Sequence, residues 1–141
     1  MPLSTEALES KMQWWWDTHA TSMFAHREYS GLLGERGIVQ SWQRNWLSRF
    51  CADGRCNSTR VADYGIGAAI LGEFMMNVYG VVHYDGVDIS RRSLDAARTR
   101  LSLHFPSSRF ALHNTSVDFA SLASDVFISQ AVIQHCARHT H

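Results

Sequence analysis

One stretch near the middle of the chain constrains the fold more than any other. Val61-Ala62-Asp63-Tyr64 is a short apolar run halted by Gly65. Gly65-Ile66-Gly67 then leads into Ala68-Ala69-Ile70-Leu71, where apolar residues take up helical spacing. A buried strand that turns sharply on glycines into a helix is half of a βαβ unit. Glycines at the turn let the backbone reverse and let a ligand approach main-chain N–H groups without a Cβ in the way. The helix that follows offers the positive end of its dipole to an anionic group.

The residues on both sides extend this alternation. Ala68 to Tyr79 reads as a helix with Ile70, Leu71, Phe74, Met75 and Val78 as its inner stripe, and Tyr84 to Asp88 reads as a second strand. Ser90 is placed to cap the next helix, in which Leu94, Ala97 and Leu101 share a face. The arginines at 91, 92, 98 and 100 read as its solvated side. Pro106 closes that unit. Arg109 to His113 is a third strand, Asp118 to Ala123 a short turn or helix, and Val126-Phe127-Ile128 a fourth, strongly apolar strand of central character. Strand and helix alternating at such short intervals predict an α/β, Rossmann-like three-layer sandwich with a partial parallel sheet of about four strands.

Residues 1–59 differ in character and are expected to form an N-terminal helical segment, a lid or substrate wall, with 60–141 the N-terminal half of a Rossmann-like domain. Ser4 or Thr5 can cap a first helix with Glu6 and Glu9 in its opening turns. Leu8, Met12, Trp15 or Trp16, His19 and Met23 recur at three- and four-residue spacing. Trp14, Trp15 and Trp16 cannot share one face, because neighbours on a helix stand about 100° apart. At least one packs on a neighbouring element or walls a substrate pocket. A second amphipathic helix carries Ile38, Trp42, Trp46, Leu47 and Phe50 and stops near Asp53-Gly54. Tyr29 and His26 lie in this part too, with no spacing that ties them to chemistry.

Composition narrows the function classes. With 45% apolar and 18% charged residues in 141, the chain has the balance of one globular domain. Its 13 basic and 13 acidic residues cancel, so the basic footprint of nucleic-acid binding is absent. No apolar run approaches the roughly 20 residues of a membrane span, and residues 1–10 do not resemble an export signal. A soluble, cytoplasmic protein is the expectation. Cys51, Cys56 and Cys136 do not form a disulfide framework by count or spacing, so Cys51 and Cys56 are read as reduced thiols. No metal site is expected. His135 and His139 share a helical face, but with Cys136 and His141 they read as an exposed terminus; His83 and His113 read as ordinary polar or core histidines.

The chemistry concentrates at the glycine turn and at Asp88. Asp88 closes the second strand in Gly86-Val87-Asp88-Ile89-Ser90, about 20 residues after the turn. A carboxylate there can accept hydrogen bonds from both hydroxyls of a ribose, whether of a dinucleotide or of another adenosine-containing cofactor. Two residues separate these. A dinucleotide turn places a third glycine where this chain has Ile70. Asp63, two residues before the first glycine, would repel a pyrophosphate but suits a cofactor carrying an amino group and a sulfonium.

With Asp63-x-Gly65-x-Gly67 followed by Asp88, the chain resembles the class I S-adenosylmethionine-dependent methyltransferases over about Val61 to His135. The stretch Ser124 to His135 resembles that family's fourth strand and the start of the helix after it. The resemblance implies that Asp63, Gly65 and Gly67 line the methionine part of S-adenosyl-L-methionine, that Asp88 holds the ribose, that Ile89 packs on the adenine and that Gln130 lies beside the methyl donor. It names no catalytic residue. The family's third turn glycine is Ala69 here. Thr115 and Ser116 stand where the family often has an acid for the adenine amino group, with Asp118 three residues on. Ser129-Gln130-Ala131-Val132 replaces the motif of methyltransferases acting on nucleic-acid bases, so those acceptors are not expected; the aromatic N-terminal helices, read as a lid or substrate wall, suggest a small molecule. Family members continue with three more strands, so the last strand here would be a bare edge open to a second copy or a partner chain; a fragment or a partner-dependent chain is expected rather than a minimal variant. The alternatives are a non-catalytic or partner-dependent remnant that acts as a binding subunit and, more weakly, a nucleotide-dependent oxidoreductase.

Overall fold

The structure, a computed structural model, describes residues 4–24 and 41–129. Gln130, the histidines at 135, 139 and 141, Cys136, His26 and Tyr29 lie outside the described residues, as do the side chains of Trp15, Trp16 and Trp42. The elements run α1 (Thr5–Phe24), α2 (Ser41–Phe50), β1 (Arg60–Tyr64), α3 (Ile70–Val78), β2 (His83–Val87), α4 (Arg91–Ser102), β3 (Phe110–His113) and β4 (Val126–Ser129). Single 3₁₀ turns at Ala52–Gly54, Ser107–Arg109 and Phe119–Leu122 join them.

All strand pairings are parallel, in the order β3-β2-β1-β4. Parallel neighbours need crossovers, and α3 and α4 are two of them. β2 and β3 lie on one side of β1 and β4 on the other, so the chain reverses its direction of travel across the sheet at β1. In open α/β sheets ligands bind at the carboxyl ends of the strands at such a reversal.

Alternation along the strands assigns the two faces. Val61, Tyr84, Phe110 and Ile128 join Leu71 and Met75 of α3, Ala97 and Leu101 of α4, and Leu47 of α2 in one core. Full burial of a side chain the size of Leu47 or Leu101 contributes about 1.5–3 kcal/mol. On the other face Ala62 and Val87 pack with Leu122, Tyr64, Val117 and Phe119, so among the described residues this layer is the 3₁₀ turn between β3 and β4. Asp85 is buried on that face between His83 Nδ1 at 3.2 Å and His113 Nε2 at 3.0 Å, with Arg60 Nη2 at 3.8 Å. Both histidines therefore serve a buried carboxylate.

The helix starts follow the caps expected of them. Ser4 Oγ accepts from Ala7 N at 3.1 Å, and Ser90 Oγ accepts from Ser93 N at 3.2 Å. α1 lies against α4. Trp14 is 66% exposed, and Trp46 stacks on Phe50 at 5.2 Å between ring centroids.

Four expectations are corrected. Cys51 and Cys56 form a disulfide, not a pair of reduced thiols. Left-handed Asp53 and Gly54 fold the intervening residues back, bringing the two Cα atoms to 5.0 Å. Arg100 does not sit on a solvated face. It is 6% exposed, and its Nε pairs with the Glu73 carboxylate of α3, whose other oxygen faces His104 Nε2 at 3.7 Å. Val78 leaves the inner stripe and is exposed, because α3 closes at that residue and turns Met76 inward instead. β4, read as central, lies at the edge of the sheet among the described residues.

Candidate cofactor site

β1 delivers Asp63 and Tyr64 to the carboxyl end of the sheet, and the chain then turns through three left-handed residues. These are Gly65 (φ 82°), Gly67 (φ 55°) and Ala69 (φ 61°). Only glycine takes this conformation without a steric cost, and an alanine in it is strained by about 1–2 kcal/mol. This gives a physical reason for glycine at the third position in the family the sequence resembles. Here Ala69 keeps a fully buried methyl in the core beside α3 in compensation.

The turn is tied to the end of β2. Gly65 N donates to Val87 O at 2.7 Å, and Asp88 N donates to His113 O at 3.1 Å. Asp88 then reaches back: its Oδ2 accepts from Gly67 N at 2.9 Å and its Oδ1 from Ser90 N at 2.8 Å. One carboxylate thus joins the glycine turn, the end of β2 and the start of α4. Charge-assisted bonds of this kind contribute about 1.5–3 kcal/mol each.

The residues singled out by sequence are therefore adjacent in space. Asp63, Gly65, Gly67 and Asp88 frame one locus, and Ile89, half-buried, lies between Asp88 and the α4 cap. A Cβ built on Gly67 meets nothing within 4 Å, so the turn has open space against it. Ile66 packs away against Gly86, where an added Cβ would lie 2.6 Å from Ile66 Cδ1. The open backbone, the pinned carboxylate and the acid at the end of β1 fit an adenosyl sulfonium with its amino-acid tail.

Asp63 is 4% exposed and accepts a 2.6 Å hydrogen bond from the Tyr84 hydroxyl. Burial pushes its carboxyl up to about 7; the Tyr84 hydrogen bond opposes that rise and the nearby Asp88 charge adds to it. Tyr84 is itself raised well above its ordinary value, by burial first and then by the charge of Asp63. Sequence reading missed Tyr84. It looks like one more apolar residue of a strand, and the signal available was a phenol in a buried run.

At the end of β3 the Asn114 side chain accepts from Ser116 N at 2.9 Å and pairs with its hydroxyl, forming a tight local turn. Asp118 Oδ1 accepts from Ala120 N at 3.0 Å, so this acid caps the 3₁₀ turn. Among the described residues no group of three or more His, Cys, Asp and Glu side chains is placed to hold a metal ion.

Two solved structures share this architecture. Arabidopsis thaliana protein arginine methyltransferase 10 superposes with a TM-score of 0.54 at 18% identity, over 86% of this chain and 31% of that one. A putative sarcosine dimethylglycine methyltransferase from Galdieria sulphuraria superposes with a TM-score of 0.57 at 14% identity, over 81% of this chain and 48% of that one. This is the class I methyltransferase fold. The chain spans a third to a half of the length of these methyltransferases. No protein-family model and no curated protein matches it.

Proposed function

We propose that the chain binds S-adenosyl-L-methionine at the glycine turn and acts as a methyltransferase domain toward a small molecule. The observation that carries this reading is the Asp88 carboxylate, held between Gly67 N and Ser90 N at the end of β2. When bound, the cofactor supplies a methyl group on a sulfonium sulfur, open to in-line displacement by the acceptor's nucleophile. Asp88 takes the ribose hydroxyls. Asp63 faces the ammonium group, the N-terminus of α3 faces the carboxylate of the methionine part, and Ile89 packs on the adenine. The leaving group is already good, so positioning and exclusion of water carry much of the rate. Residues 1–59 contribute a lid or substrate wall.

The test is calorimetric titration with S-adenosylhomocysteine. Asp88→Ala is expected to weaken binding by about 1–3 kcal/mol, the cost of losing charge-assisted hydrogen bonds. A folded wild type with no measurable affinity would contradict the proposal.

A second reading is favoured by one observation: Phe127, on the edge strand β4, is 56% exposed. The chain would then act with a second copy or a partner docked along that edge. Among the described residues no helix is long and apolar enough to cross a membrane. A cytoplasmic location remains part of the proposal, with the Cys51–Cys56 disulfide weighing against it, since reducing compartments rarely sustain such bonds.

A further inference from the structure

The buried acids of this fold are treated differently by their surroundings. Asp85 has two histidines and an arginine around it, and Glu73, partly buried, has Arg100 and His104. Asp63 has no cation within ion-pair reach among the described residues. Its hydrogen-bond partner is the neutral hydroxyl of Tyr84, and the charge that bears on it is the like charge of Asp88. Both come from β2 and its end. β4 places Ile128 beside Asp63 and carries no titratable residue, and the one acid of α3, Glu73, is engaged by α4 and His104. A buried acid without a cation is costly unless a cation arrives with a ligand.

Tyr84 is the group that holds this acid in place. It is fully buried, and its ring lies so close under α3 that a Cβ on Gly72 would collide with it. A Cβ on Gly86 would stand 3.1 Å from Tyr84 Cε1. Gly72 and Gly86 together leave the slot the ring fills, so the hydroxyl has little freedom to leave Asp63 Oδ2.

We propose that Tyr84 is a positioning residue for the cofactor, its slotted phenol fixing the Asp63 carboxylate at the end of β1 to receive the cofactor's ammonium group. This rests on the reading of the site as an S-adenosyl-L-methionine site. Because burial brings Asp63 to about 7, the cofactor must displace a proton to bind at lower pH. The hydroxyl favours the ionised acid, so it widens the pH range over which the site is ready.

Tyr84→Phe keeps the ring in its slot and removes only the hydroxyl. The test measures S-adenosylhomocysteine affinity from pH 6 to 8.5 for wild type and Tyr84→Phe, and the ¹³C carboxyl titration of Asp63 in both without ligand. Wild-type affinity should fall about ten-fold from pH 8 to pH 6. In Tyr84→Phe both the affinity profile and the Asp63 titration should move up by about one pH unit. Binding should then be weaker by about five-fold at pH 7 and by less than two-fold at pH 8.5. A uniform loss at every pH, or an Asp63 midpoint that ignores the hydroxyl, would overturn the positioning role. If the Asp63 midpoint moves as expected but wild type binds no S-adenosylhomocysteine, the cofactor reading fails, and Tyr84's part in it fails with it. Should Tyr84→Phe not fold, ionisation of Asp63 on cofactor binding remains measurable in wild type. About half a proton released per ligand at pH 7 is expected, and none would overturn the proposal.

Discussion

Asp63 shows how one buried side chain can tie stability to pH. Its carboxyl titrates near 3.8 when unfolded and at about 7 when folded. The folded chain therefore holds a proton that the unfolded chain has lost between those values. The associated stability is fully present below about pH 4 and is lost as pH rises through about 7. Asp63→Asn removes this dependence, because the amide keeps an acceptor for Tyr84 and carries no charge. Urea unfolding at pH 5 and pH 8 should show wild type losing about 2–3 kcal/mol more than Asp63→Asn over that interval. Equal losses would mean that Asp63 ionises freely in the folded state. Asp63 and Asp88 were legible as candidate site residues because acids at the ends of apolar strands, beside a glycine turn, have few structural reasons to be there; what the structure adds is that they lie close together. Tyr84 and Arg100 were not. Each owes its role to a partner across the fold, Asp63 for one and Glu73 for the other, and strand or helix periodicity carries no information about such pairs.

At the scale of elements, strand positions could be read to within a residue, because each apolar run is bounded by a turn or a polar connector. The anchoring of α2 could not. Leu47 and Phe50 pack on the core, and the disulfide joins the end of α2 to the loop that enters β1. Two cysteines flanking Ala-Asp-Gly-Arg look solitary in sequence; the left-handed Asp53-Gly54 turn brings them together. Closing so short a loop should stabilise the fold by about 2 kcal/mol through the entropy of the unfolded chain. Urea unfolding with and without a strong reductant checks this. The midpoint should fall on reduction, and Cys51→Ser with Cys56→Ser should reproduce the fall without reductant. An unchanged midpoint would mean that the bond constrains nothing in the unfolded chain.

At the scale of the whole molecule, the sheet is unevenly covered among the described residues. α3 and α4 close one face, whereas the other has the Phe119–Leu122 turn and leaves Phe127 exposed. Phe127 packs edge-on against Phe119 at 5.4 Å, and Phe119 against Tyr64 at 5.7 Å, forming an aromatic row. Apolar edges of this kind promote association, and a lysine on an edge strand opposes it. Sedimentation of wild type should therefore depend on concentration in the micromolar range. Phe127→Lys should shift it toward monomer, with a stability change within about 1 kcal/mol, as for most exposed sites. Concentration-independent sedimentation of both proteins would remove the case for assembly through β4.

The central claim is one of location: a single adenosyl cofactor sits where the glycine turn meets the end of β2. It is tested most directly by following backbone amide resonances while S-adenosylhomocysteine is added to isotope-labelled protein. Saturable shifts should be largest at Gly65, Gly67, Asp88, Ile89 and Ser90, because those amides line or brace the turn. A folded protein whose spectrum does not change, or changes only around Asp85 and Phe127 on the opposite face, would contradict the account.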